Sequence, residues 1–190
     1  MINHTYGVIK ATVDDFIVKE KIDITKINSL NFIFTKETLK NLLEYKDNFK
    51  FFFILKKQNT TIFNTLLRLS KILRISIRDF FFLGEKDKYA QTIQTLFIQT
   101  TLQNKQKIIN NIIDKTDQNL KIISNTKDFE LSLIGIIDTS LENIKEFLLG
   151  NYFLITIRKI PLDFQQELIR RLDFLKNNYL PNYYDIQRFG

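Results

Sequence analysis

The segment Phe49 to Lys57 reads FKFFFILKK. Nine residues this dense in aromatic and branched side chains, with no helical spacing of polar positions, read as a strand buried on both faces. Such a strand needs neighbours at both edges and cover above and below, so the rest of the chain must supply a sheet and a helical layer. The pieces are present. Gly7 to Ile22 (GVIKATVDDFIVKEKI) suggests two short β segments around an Asp14-Asp15 turn, with Phe16 and Val18 alternating against Lys19. Residues 23–48 are mixed and polar. Ile62, Leu66, Leu69 and Leu73 recur at helical spacing, and Thr60 or Thr61 caps that helix. Phe80 to Leu83 (FFFL) is a short buried strand, and Thr92 to Thr101 alternates polar and apolar residues as a half-buried strand does.

Residues 102–118 are rich in Asn, Gln and Lys and read as helix or loop. Strands return at Leu120 to Ser124, Phe129 to Ile137 and Asn151 to Ile160, and a helix from Leu162 to Asn177 starts after Pro161 with Leu168, Leu172 and Leu175 on one face. The expected class is α+β: a mixed, largely antiparallel sheet with flanking helices, forming a single domain over residues 1–190.

The chemistry available is narrow. The chain has no cysteine and one histidine, which leaves no thiolate zinc site, disulfide or Cys nucleophile and sets aside His-based triads; catalysis must rest on carboxylates, lysines or hydroxyls. No apolar run approaches the roughly 20 residues of a membrane span, and MINHTYGVIK lacks a signal peptide's pattern. The expectation is a soluble intracellular protein without membrane partners, cytoplasmic in a prokaryote and cytoplasmic or nuclear in a eukaryote. A net charge of +7 favours a polyanion such as nucleic acid. Lysine raised by AT-rich codon usage is the competing account of that charge.

Between two strands lies GEKDKYAQTIQ, Gly84 to Gln94. Lys86 and Lys88 flank Asp87 and favour its ionised form, which suits a nucleophile or base. A solvated charged turn is the alternative reading of the same three residues. A phosphate-binding P-loop is a poor match, since the second glycine and the Lys-Ser/Thr ending are missing.

Taken whole, the loop resembles the signature Gly-x-Lys-Asp-x-x-Ala-x-Thr-x-Gln of the TruD-type tRNA pseudouridine synthases, with Gly84, Lys86, Asp87, Ala90, Thr92 and Gln94 in place. Four further segments match that family in its order. KATVDDFIVKE resembles its opening motif at Lys10, Asp15, Phe16, Val18 and Glu20; FFILKKQNTT resembles its strand ending in Lys with a Thr five residues on, here Lys56 and Thr61. GNYF (Gly150 to Phe153) and the tail LPNYYDIQRFG, with Asn182, Gln187 and Arg188, resemble two later elements. Tyr184-Asp185 replaces the family's usual Phe-Gly, and IGIIDTSLENIKEFLL before Gly150 is longer and more acidic than usual.

The resemblance implies part of a pseudouridine-synthase catalytic fold. It implies isomerisation of uridine to pseudouridine in tRNA, at uridine 13, by base flipping and a catalytic Asp87, without metal or organic cofactor. Lys10, Phe16, Asn151 and Phe153 become substrate-binding candidates, with Glu20, Lys56, Thr61, Gly84, Lys86, Gln94, Asn182, Gln187 and Arg188 supporting them. Family members continue past the Arg-Phe-Gly element into an inserted domain and further strands. The chain is therefore expected to be an N-terminal portion whose C-terminal half is absent, and the competing reading is an inactive or split-gene RNA-binding fragment that needs a separately encoded second half.

Overall fold

The structure is a computed structural model that describes residues 7–23, 25, 31–33, 35–44, 49–101, 103–123, 125–137 and 144–178. Its elements are β1 (Phe16–Ile22), β2 (Asn31–Phe32), α1 (Lys36–Asn41), β3 (Lys50–Gln58), α2 (Ile62–Leu73), β4 (Phe80–Phe81), β5 (Gln91–Gln99), α3 (Lys105–Lys115), β6 (Lys121–Ile123), β7 (Phe129–Ile137), β8 (Leu148–Ile155) and α4 (Leu162–Asn177). The strands form one eight-stranded sheet in the order β2-β7-β3-β5-β1-β8, with β4 pairing β5 and β6 pairing β7. The pairings are antiparallel except β1 with β5.

The FKFFFILKK strand lies at the centre, as its composition requires. Phe49, Phe51, Phe53 and Leu55 face a core closed by Leu66, Leu69 and Leu73 of α2 and Ile108, Ile109 and Ile112 of α3. Phe52 and Ile54 face a second cluster, where the Phe52 ring stacks on Phe97 at 5.3 Å. Thr61 is the residue that caps α2: its side chain accepts from the Asn64 amide at 3.2 Å.

Several expectations shift. The first segment forms a single strand after a 3-10 turn at Val13–Asp15, because the Asp15 side chain accepts from the Thr12 amide and closes that turn. The strand expected at Thr92 to Thr101 is Gln91–Gln99 and is buried on both faces rather than half-buried, since β3 flanks it and both clusters cover it. FFFL contributes two strand residues, and β8 begins at Leu148 instead of Asn151 and stops at Ile155. The described residues of the polar stretch 23–48 include β2, α1 and a 3-10 turn at Leu42–Glu44.

Among the described residues one side of the fold is uncovered. β8 ends the sheet with an edge that has no partner among the described strands, and Tyr152, Phe153, Leu154 and Ile155 are each about half exposed. The helix α4 buries none of its residues and exposes Ile169, Leu172 and Phe174. Among the described residues no helix is long and apolar enough to cross a membrane.

Candidate active site

The parallel pairing of β1 with β5 determines where the chemistry gathers. Parallel strands start at the same end of a sheet, so the segment leading into β1 and the loop leading into β5 are neighbours there. Lys10 lies in the first and Asp87 in the second. Lys10 Nζ donates to Asp87 Oδ1 at 2.9 Å across 77 residues of sequence. The antiparallel partners bring β3's end and β8's end to the same place, with Gln58 opposite Gln91 and Ile155 opposite Phe16.

The Asp87 carboxylate is 45% exposed, with Oδ1 on Lys10 and no described partner on Oδ2. The same ammonium sits 4.0 Å from the centre of the Phe16 ring, which meets Phe153 edge-on at 6.2 Å. Phe153 is 51% exposed. Asn151 lies two residues before it on the same face of β8, exposed and not bonded to Asp87. Carboxylate, ammonium and two rings thus form one open surface. A planar ligand could lie against the rings while a carboxylate oxygen reaches its edge.

Beneath this surface two buried devices hold the loop. Lys86 Nζ faces Glu20 Oε1 at 2.9 Å, with both side chains nearly inaccessible. That contact lacks hydrogen-bond alignment and is ionic, whereas Glu20 Oε2 accepts from both the amide and the hydroxyl of Thr95 at 2.7 Å. The second device is Lys57. Its Nζ donates to the carbonyl oxygens of Thr60 at 3.0 Å, Lys86 at 3.3 Å and Asp87 at 3.0 Å. Burial draws its pKa down to about 8, with Asp87 opposing the fall and Lys86 adding to it.

A third device pins the segment carrying Lys10. Arg158 Nε donates to both Asp15 oxygens at 2.8 Å and its Nη2 approaches Oδ1 at 2.6 Å. The guanidinium holds the Asp15 carboxyl down at about 2, aided by the Thr12 amide. Val8 and Arg158 also exchange backbone hydrogen bonds at 2.8 and 2.9 Å. Gly7 is required next to this bridge: its φ is +147°, and an added Cβ would stand 2.6 Å from Ile157 Cγ2.

Of the residues singled out from sequence, Asp87, Lys10, Phe16 and Phe153 come together, and Glu20 with Lys86 lies directly below. Gln94 is buried on the helix-covered face, where its amide atoms and the Thr92 hydroxyl find no partner among the described residues. Thr61 acts as the helix cap. A Cβ on Gly84 would meet only Lys86 Nζ at 3.6 Å, an ordinary contact, so backbone geometry gives no reason for that glycine. Lys56 is exposed and turned to the other face of β3; Lys57 is the lysine under the loop. Asn182, Gln187 and Arg188 lie outside the described residues. No group of three or more His, Asp or Glu able to hold a metal occurs among the described residues.

Sequence reasoning missed Lys57, Thr95 and Arg158. Lys57 had a signal: it continues the Phe49, Phe51, Phe53, Leu55 alternation, so it belongs to the buried face. Arg158 had none, because its partner Asp15 is 143 residues away.

The chain is similar to known proteins over most of its length. The family model described as "tRNA pseudouridine synthase D (TruD)" matches residues 2–190. A protein of Pyrobaculum islandicum named "Probable tRNA pseudouridine synthase D" is 31% identical over 97% of this chain and 37% of its own length. One of the same name from Methanococcoides burtonii is 35% identical over 72% of this chain and 28% of its own length. The crystal structure of the putative tRNA pseudouridine synthase D from Methanosarcina mazei superposes with a TM-score of 0.65 at 26% identity, over 97% of this chain and 35% of that one. The chain spans about a third of the length of these relatives.

Proposed function

The chain belongs to the TruD tRNA pseudouridine synthase family, and from that premise we propose that it supplies the reacting carboxylate for isomerising uridine to pseudouridine in tRNA, with uridine 13 as the site. The observation that carries the reading is the Lys10–Asp87 contact of 2.9 Å beside Phe16 and Phe153. It joins the family's loop to the family's opening motif in space.

In this reading RNA docks by its phosphates on a chain of net charge +7, which makes affinity fall with salt. The target uridine leaves its stack and lies against Phe16 and Phe153, at an unstacking cost of a few kcal/mol. Asn151 is the candidate for the uracil edge. Asp87, beside Lys10, starts the reaction; the C1′–N1 glycosidic bond breaks, the base rotates, and C1′ joins C5 while C5 gives up its proton and N1 takes one up. Lys10 balances the charge of the carboxylate and screens it from the approaching phosphates.

The activity belongs to a larger assembly than this sheet. We propose that these 190 residues are the N-terminal portion of one catalytic domain, and that the uncovered edge of β8 with the apolar residues of α4 receives the remaining two-thirds of the TruD fold, in the same polypeptide or as a separate chain. Exposed apolar surface rimmed by an open strand edge favours such docking. The same surface favours a second reading, an RNA-binding portion inactive alone. Pseudouridine formation in an unmodified tRNA transcript decides between them, measured for the chain and for Asp87→Ala, with and without the rest of the fold. Product that vanishes with Asp87→Ala supports the enzyme; salt-sensitive tRNA binding with no product under any condition supports the binding portion.

A further inference from the structure

The isomerisation chemistry does not itself use Lys57, yet the fold buries an ammonium there. Its side chain is among the largest fully buried ones, and burying a charge is costly unless its donors are used. They are used fully. An ammonium has three N–H donors, and Lys57 directs them to three carbonyl oxygens, of Thr60, Lys86 and Asp87. Two of these acceptors belong to Asp87 and its predecessor; the third lies in the turn leading into α2. A neutral donor of the same length could serve carbonyls at less desolvation cost. A full charge gains most where a carboxylate stands nearby, and Asp87 is that carboxylate.

We infer that Lys57 is a positioning residue for the reaction: it anchors the peptide on either side of Asp87 to the rigid end of β3 and to the start of α2, so the carboxylate meets the uridine at a fixed height. This rests on Asp87 being the reacting group. The loop has no regular secondary structure between Leu83 and Gln91, so side-chain anchors must do what ladder hydrogen bonds do elsewhere. The charged groups facing Lys57 are Asp87, itself turned to Lys10, and Lys86, itself turned to Glu20; Thr92, opposite on β5, and Thr60 are neutral. Deprotonation therefore leaves two donors for three carbonyls and removes the charge that balances Asp87. With a pKa of about 8, that loss falls at mildly alkaline pH.

The test uses single-turnover pseudouridine formation in a tRNA transcript from roughly pH 6 to pH 9.5, for the wild type, Lys57→Met, Lys57→Arg and Asp87→Ala. It adds amide hydrogen exchange of the loop in the chain itself. Lys57→Met is expected to lower the rate on the order of 10²-fold while tRNA affinity changes less than about threefold. It should also speed exchange at the amides of residues 86–90 by at least about tenfold, leaving β3 protected. The wild-type rate should fall as pH rises through about 8, and Lys57→Arg should recover part of the rate without that fall. A Lys57→Met chain with wild-type rate and wild-type loop exchange overturns the inference. If the wild type forms no more product than Asp87→Ala, both alone and with the rest of the fold supplied, the uridine assignment fails, and unchanged loop exchange in Lys57→Met then overturns the anchoring role by itself.

Discussion

Replacing Glu20 with Gln isolates the other anchor of the loop. Glu20 and Lys86 are almost wholly inaccessible, and Lys86 Nζ faces Glu20 Oε1 at 2.9 Å without hydrogen-bond alignment. Removing the carboxylate charge leaves the Lys86 ammonium buried beside a neutral amide, whose NH₂ group must either face it or displace the two Thr95 bonds of 2.7 Å. Breaking one side of a buried pair costs about 3–5 kcal/mol. For a chain of this size the urea m-value is about 2–3 kcal/mol/M, so the unfolding midpoint should drop by about 1–2.5 M. Lys86→Met alone should cost a similar amount, because it strands the carboxylate. The double variant is the informative one. With both charges gone, nothing is left uncompensated, and its loss should fall short of the sum of the singles by at least about 2 kcal/mol. Urea melts followed by far-ultraviolet circular dichroism give all three values. A Glu20→Gln midpoint within about 0.3 M of the wild type, or strict additivity in the double variant, would refute the argument.

Two further outcomes follow from the same region. Asp15 is held at about 2 by Arg158, so its contribution to stability is present above its unfolded value of 3.8 and is lost as pH falls through about 2. Glu167, held at about 2 by Arg170 and Arg171, titrates in the same window, so urea melts from pH 4 downward should be compared with Asp15→Asn, which should show a shallower loss; equal slopes would show that Arg158 does not stabilise Asp15. Phe153→Ala removes a half-exposed ring with one edge-on neighbour, so stability should change by no more than about 1.5 kcal/mol. Pseudouridine formation should fall at least about tenfold, and an unchanged rate would remove Phe153 from the base-binding surface.

What the sequence made legible tracks how local each signal is. FKFFFILKK and the leucine spacing of α2 are single-segment patterns that burial obeys whatever the neighbours are, and both elements form where composition puts them. The burial of β5 on both faces was not legible from its own residues. Its polar positions Thr92, Gln94 and Thr95 look solvent-facing until β1 and β3 enclose them. β2 and α1 are too short to carry a period. At the site, spaced motifs pointed to Asp87, Lys10, Phe16 and Phe153, but a motif does not say which lysine of Lys56-Lys57 turns inward. Strand parity does, once the burial face of Phe49 to Leu55 is known.

The geometry also explains why the residues that meet are so far apart in the chain. A carboxylate and an ammonium 77 residues apart, both largely at the surface, gain little from each other, since exposed pairs are worth about 0–1 kcal/mol. Their contact cannot be what brings them together. Each is carried instead by a segment fixed from below: Lys10 by the Asp15–Arg158 pair and the Val8–Arg158 bridge, Asp87 by Lys57 and by Glu20 through Lys86. The parallel β1–β5 register sets the two segments side by side. The buried charges thus do the positioning, and the exposed pair is left free of structural duty. In the proposed reaction a carboxylate in that state can exchange its ammonium for a substrate without loosening the fold.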